Sequence, residues 1–234
     1  MLIESSTGTT GARCKICTTI MARTVKSMLA DAGTAFDLGT DMVEFRLDGL
    51  RAGEFEDVRE LLEFRKRAIF TARPTPRGTC GREGSRIELL RGLARERPAA
   101  VDIELASARA DPQAAREMAS GAGRLVVSYH DASPPPDRGK MLDVYREAAR
   151  YGRVVKMVYT ARSFQDNLAV LELYREAVAT ELVAFCMGGK GLPSRIGSAA
   201  AGSPFAYASL PGRPAAPGQP SIALLKEALD VITL

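Results

Sequence analysis

A single (β/α)8 TIM barrel with parallel strands is the fold class this sequence predicts. Short apolar runs alternate with stretches of helical composition to the end of the chain, which implies βαβ units and a parallel sheet. There are eight such runs in 234 residues, close to the roughly 250 residues typical of eight βα units. A doubly wound sheet shares the alternation, but no Gly-x-Gly-x-x-Gly follows the first run. No mid-chain stretch is rich in Pro, Gly or Ser. The reading is therefore one barrel domain over 14–234 behind a flexible polar tail over 1–13.

The elements follow in order. KICTTI (15–20) is the first strand, and MVEFRLD (42–48) alternates apolar with charged residues at the strand period. A helical stretch at 54–67 leads to AIFTARP (68–74). The Pro- and Gly-containing segment 74–84 reads as a long loop, followed by a helix at 85–97. AAVDIEL (99–105) and RLVVSYH (124–130) are strands four and five, with a helix at 141–151. RVVKMVY (153–159) precedes a helix at 163–180. After LVAFCMG (182–188) comes the weakest helix, 194–202, which is short and ends in Ala and Gly. FAYASLP (205–211), a second long loop at 211–220 and a helix at 221–232 close the chain. In a barrel both loops follow a strand, so both lie on the face where active sites are built.

Composition narrows the function. Apolar residues make up 46% and charged residues 26% of the chain, values of an ordinary globular protein. The net charge is only +4, no Trp is present and aromatics are 6%, so no base-stacking basic surface is expected and no nucleic-acid partner. No run approaches the roughly 20 apolar residues of a membrane span. Residues 1–13 lack the basic start and apolar stretch of a signal peptide. Cys14 and Cys17 form a Cys-x-x-Cys without a second pair, and Cys17 sits in an apolar run. Neither a disulfide framework nor a metal site is expected. The chain reads as cytoplasmic and reduced.

Ionisable residues inside strand-like runs carry the chemistry. Period two puts Met42, Glu44, Arg46 and Asp48 on one face and Val43, Phe45 and Leu47 on the other. Either this strand is an edge with a solvated face, or three charges point into the barrel and must pair or meet a ligand. Further charges at Arg73, Asp102 and Glu104 favour a polar pocket. Lys156 lies among valines, where Lys is depleted. A desolvated amine can attack a carbonyl to form a Schiff base; the alternative is a lysine snorkelling to water. His130, the one histidine, ends strand five, where barrels place proton carriers. Its parity matches that of Lys156, so both side chains can enter one pocket. Gly188-Gly189-Lys190-Gly191 reads equally as a phosphate cradle or a plain turn. Arg195 reads as a fork for a carboxylate or phosphate, or as a surface residue.

With these residues in view, the chain closely resembles the type I 3-dehydroquinate dehydratases, the Schiff-base enzymes of the shikimate pathway. The resemblance runs from Lys15 to the C-terminus and rests on Glu44-Phe45-Arg46-Leu47-Asp48, Thr71-Ala72-Arg73, Val101-Asp102-Ile103-Glu104-Leu105, Ser128-Tyr129-His130-Asp131, Val155-Lys156, Met187, Ser194-Arg195 and Ala216-Pro217-Gly218-Gln219. It implies that Lys156 forms an imine with the ring ketone of 3-dehydroquinate and that His130 carries the protons. Glu44, Arg46 and Arg73 then hold the ring hydroxyls and steady the polar network. Arg195 and Gln219 clamp the substrate carboxylate and contact the lid, Thr19 lines the site and Met187 forms an apolar wall. A homodimer is implied, and neither metal nor cofactor. Two departures stand out. Ala215 occupies a position, four before Gln219, where bacterial members often carry Ser; one lid hydrogen bond fewer costs about 1 kcal/mol of binding. The loop after Arg73 is also longer than the family's compact Glu-Gly-Gly form, which leaves open whether Glu83 replaces that Glu. The alternatives are a Schiff-base aldolase acting on a sugar phosphate, and a non-enzymatic barrel whose inward charges merely pair.

Overall fold

The computed structural model describes residues 13–74, 83–177 and 180–232. Over these, parallel strands run in the order β7-β6-β5-β4-β3-β2-β1-β8. They are β1 (Lys15–Ile20), β2 (Met42–Arg46), β3 (Ala68–Thr71), β4 (Ala100–Glu104), β5 (Leu125–His130), β6 (Val154–Thr160), β7 (Glu181–Met187) and β8 (Phe205–Ser209). Sequential neighbours pair, and β1 returns to β8 through the register Lys15↔Phe205 to Thr19↔Ser209. The sheet therefore curls into a nearly closed (β/α)8 barrel. At the β7–β8 seam no strand ladder forms among the described residues. Phe185 and Tyr207 meet there instead, with ring centroids 6.0 Å apart.

The outer layer holds α1 (Val25–Asp37), α2 (Glu83–Arg95), α3 (Leu105–Ala110), α4 (Pro112–Gly121), α5 (Arg138–Ala148), α6 (Phe164–Leu171), α7 (Leu192–Ala200) and α8 (Ile222–Ile232). Strand alternation divides the apolar residues into two cores. Val43, Phe45, Phe70, Ile103, Val127 and Val155 face the helices. Met42, Ile69, Ala100, Val126, Val154 and Phe205 fill the N-terminal end of the interior. Two residues further along, the same strands turn inward Glu44, Thr71, Asp102, Ser128, Lys156 and Tyr207, all buried. A packed apolar floor thus carries a polar layer, and the mouth opens above it.

The expected strands all form, with ends shifted by up to three residues. β2 stops at Arg46 because Leu47–Gly49 winds into a 3-10 turn, which brings Asp48 back to accept two bonds from the Arg46 guanidinium, at 3.0 and 2.8 Å. The helix expected at 54–67 is instead two 3-10 segments, Ala52–Phe55 and Asp57–Arg67. Its buried Val58 and Leu61 are three apart, the spacing that a three-residue turn stacks on one edge. The tail at 1–13 lies outside the described residues except for Arg13, and so do residues 75–82 of the first long loop, with Cys80. Cys14 and Cys17 belong to different cores, one on each face of the sheet. Among the described residues no helix is long and apolar enough to cross a membrane.

Candidate active site

The interior layer and the strand-end loops enclose a cavity of about 330 Å³ at the C-terminal mouth. Thr19, Glu44, Arg46, Arg73, His130, Lys156, Met187, Arg195 and Gln219 all line it, together with Glu104, Phe185, Tyr207 and Ala215. Nine side chains proposed from sequence therefore converge on one space. Glu83 does not line it; it stands at the start of α2, bonded to Arg86 and Ser107.

Lys156 lies with Glu44 in the buried polar layer that faces the cavity. Its Nζ donates to Glu44 Oε1 and Asp102 Oδ2, both at 3.1 Å, and lies 4.2 Å from the centre of the Tyr207 ring. With 3% of its surface exposed it does not snorkel. Each carboxylate is held in turn by hydroxyls. Thr19 and Thr71 donate to Glu44 at 3.2 and 3.0 Å, and Ser128 donates to Asp102 at 2.6 Å. Burial alone would raise the Glu44 pKa, but the cations of Lys156, Arg46 and Arg73 outweigh it and hold it at about 2. The charges of β2 are thus interior, not those of a solvated edge.

His130 stands one layer nearer the mouth, since its strand neighbour is Val158 where that of Ser128 is Lys156. Burial pushes its imidazole well below the ordinary 6.5, and Arg73 and Lys156 push the same way against Asp102 and Glu44. The ring is therefore neutral near pH 7. Its Nδ1 faces two partners of opposite kind, the Arg73 guanidinium at 2.6 Å and Glu104 at 3.2 Å. Arg73, which can only donate, places the ring proton on Nε2. Glu104, which can only accept while ionised, places it on Nδ1 and leaves Nε2 a lone pair. Arg73 and Glu104 also pair with each other. Burial raises the Glu104 pKa, opposed by the surrounding cations.

Arg195 is buried, not on the surface, at 4% exposure. It stacks on Phe185 at 4.6 Å, gives one bond of 3.3 Å to the Pro217 carbonyl and leaves Nε without a partner. No carboxylate reaches it among the described residues, and burial lowers its pKa to about 10. This is a cation suited to an incoming anion. Its helix, α7, is pinned by buried Asn167, whose Oδ1 accepts from Ser194 Oγ at 2.6 Å.

The loop at 211–220 lies over the mouth. Gln219 accepts from the Ala215 amide at 2.9 Å and donates to Thr19 and to the Ala208 carbonyl at 3.1 and 2.8 Å. Gly218 has φ +74, and a Cβ there would stand 2.2 Å from the Gly188 carbonyl oxygen; only glycine permits this approach. In the Gly188–Gly191 turn, the Gly188 amide bonds to Pro217 and the Gly191 amide to Gly188. The turn holds the lid loop, and these two amides do not cradle a phosphate.

Tyr207, Phe185 and the pairing of Glu104 with His130 escape a motif reading. Glu104 shows itself in sequence as an inward charge and as part of one of the pieces that carry the resemblance, with no role attached, and the two aromatics look like ordinary core residues.

Residues 16–234 match the family described as Type I 3-dehydroquinase. The 3-dehydroquinate dehydratase of Methanothermobacter thermautotrophicus is 36% identical over 208 residues, covering 88% of this chain and 91% of that protein. The 3-dehydroquinate dehydratase of Thermococcus onnurineus is 40% identical over 200 residues, covering 82% and 87%. The crystal structure of 3-dehydroquinate dehydratase from Geobacillus kaustophilus superposes with a TM-score of 0.82 at 26% identity, covering 95% of this chain and 91% of that one. The chain belongs to the type I 3-dehydroquinase family, a family of hydro-lyases.

Proposed function

We propose that the protein removes water from 3-dehydroquinate, giving 3-dehydroshikimate by syn elimination through an imine on Lys156, the third step of the shikimate pathway. The observation that carries this reading is the buried lysine in the barrel interior with a neutral histidine one layer above it in the same cavity. The substrate carboxylate is taken by the unpaired guanidinium of Arg195, and the ring hydroxyls by Arg46, Arg73 and Glu44. Thr19 and Gln219 line the site and hold the lid, and Met187 supplies an apolar wall.

His130 takes a proton from the Lys156 ammonium, the free amine adds to the ring ketone, and the imidazolium returns that proton to the adduct's hydroxyl, which leaves as water and gives the protonated imine. The imine draws electrons from the neighbouring carbon, so the proton there becomes acidic. His130 Nε2 takes that proton while Nδ1–H donates to Glu104. The electron pair left on carbon forms the new double bond as the hydroxyl departs, and the imidazolium returns its proton to that hydroxyl. One imidazole doing both tasks requires the proton and the hydroxyl to leave from the same side. Water then hydrolyses the imine and restores the amine, so the net change is one water lost.

Substrate carrying deuterium at one or the other hydrogen beside the ketone tests the reading. Appearance of the conjugated enone with stereospecific loss of the label syn to the hydroxyl is expected. Carbon–carbon cleavage would favour the aldolase alternative, which the bonded Gly188 and Gly191 amides do not support. The same resemblance implies a homodimer, checked by light scattering on the purified chain.

A further inference from the structure

Among the described residues Arg86 is the largest side chain that the fold buries completely, yet no step of the proposed reaction uses it. Its Nη1 donates to the Ala72 carbonyl at 2.7 Å and its Nη2 to Ser107 Oγ at 2.6 Å. The Ser107 hydroxyl in turn donates to Glu83 at 2.7 Å, and Glu83, half-exposed, also pairs with Arg86. The two elements joined in this way matter. Ala72 immediately precedes Arg73, and Ser107 lies in the first turn of α3, three residues after Glu104. The Ala72–Arg73 peptide is held from both sides, because the Arg73 amide donates to Asp48 Oδ1 at 3.1 Å. Arg86 therefore ties the peptide that precedes Arg73 to the Ser107 side chain, three residues past Glu104.

We infer that Arg86 is a positioning residue that sets the spacing of Arg73 and Glu104 and, through them, the tautomer and basicity of His130. This rests on His130 being the proton carrier. A guanidinium suits the task because it offers several donors in one plane, enough to reach a carbonyl, a hydroxyl and a carboxylate together. A purely architectural contact would need none of this polarity and would cost less to bury as an apolar side chain. The groups facing His130 are Arg73 from the loop after β3, Asp102 and Glu104 from β4, Lys156 from β6 and Glu44 from β2. Of these, Arg73 and Glu104 are the ones next to the groups that Arg86 bonds, the Ala72 carbonyl and the Ser107 hydroxyl.

The test is a double-mutant cycle between Arg86→Met and His130→Ala, each variant checked for fold by circular dichroism, with pH–rate profiles. With His130 present, Arg86→Met should lower kcat by about tenfold. It should also move the acid limb upward toward that of an ordinary imidazole, because Arg73 no longer presses on Nδ1. In the His130→Ala background the same change should cost less than about twofold. Arg86→Lys, which keeps one donor for the Ala72 carbonyl, should recover part of the loss, and it replaces Arg86→Met in the cycle if that variant does not fold. A full Arg86 penalty without His130, or an unmoved acid limb, overturns the inference alone. Full activity in His130→Ala overturns the proton-carrier reading and this inference with it.

Discussion

Replacing Arg195 by Met should make the protein more stable and its catalysis weaker. Burial moves the guanidinium from 12.5 to about 10, and at 1.36 kcal/mol per pH unit this disfavours the buried cation by about 3 kcal/mol. The cost is present in full near pH 7, below both values, where the group is charged folded or unfolded. The bond to Pro217 and the stacking on Phe185 return about 1–2 kcal/mol. Met keeps the apolar contact without the charge, so a net gain of about 1–2 kcal/mol is expected, or roughly 2–6 °C in Tm for a chain of this size. The substrate carboxylate would lose a charge-assisted fork worth about 1.5–3 kcal/mol, raising KM roughly ten- to hundredfold. Differential scanning calorimetry without substrate and steady-state kinetics read the two effects separately. A lower Tm with an unchanged KM would refute the reasoning, because the cation would then serve the fold and not the ligand.

His130→Ala should retain trappable imine while turnover falls by roughly 10²–10⁴, the usual share of acid–base catalysis; single-turnover trapping beside steady-state rates checks it, and unaltered turnover would remove His130 from the mechanism. Glu44 has its pKa lowered from 4.5 to about 2, so its stabilisation is complete above pH 4.5 and disappears as the pH falls toward 2. The Glu44→Gln variant should lack about 3 kcal/mol of that acid-side loss in urea melts at stepped pH, and parallel curves for the two proteins would contradict this. Gly218→Ala forces a methyl against the Gly188 carbonyl at a positive φ. It should raise KM by about tenfold through a displaced lid loop while the Tm moves by less than about 3 °C; an unchanged KM would show that the lid does not need this contact.

The sequence made the barrel legible because buried parallel strands read as short apolar runs, and any charge inside one stands out. Glu44, Asp102 and Lys156 are visible on that ground alone, but that they meet in one layer emerges only from the bonds Lys156 makes to both carboxylates. Arg195 was ambiguous for the opposite reason: a helical arginine shows its burial only once Phe185 and the 211–220 loop are packed around it. Arg86 sits in a stretch dense with Arg and Glu, where nothing local distinguishes it from its solvated neighbours. Asp48 looked like a continuation of its strand, although Asp-Gly at 48–49 is a turn signal. The 3-10 winding of 57–67 was hidden because its composition suits an α-helix equally well. What pattern could not supply was tertiary in each case, namely which carbonyl, ring or carboxylate stands opposite.

The central claim is that Lys156 bonds covalently to the substrate ketone. Incubation with 3-dehydroquinate and borohydride, followed by intact-mass measurement and peptide mapping, tests it most directly. One stable adduct on the peptide containing Lys156, absent from Lys156→Ala, is the expected result. No adduct on a folded protein that still turns over substrate, or an adduct on another lysine, would contradict it.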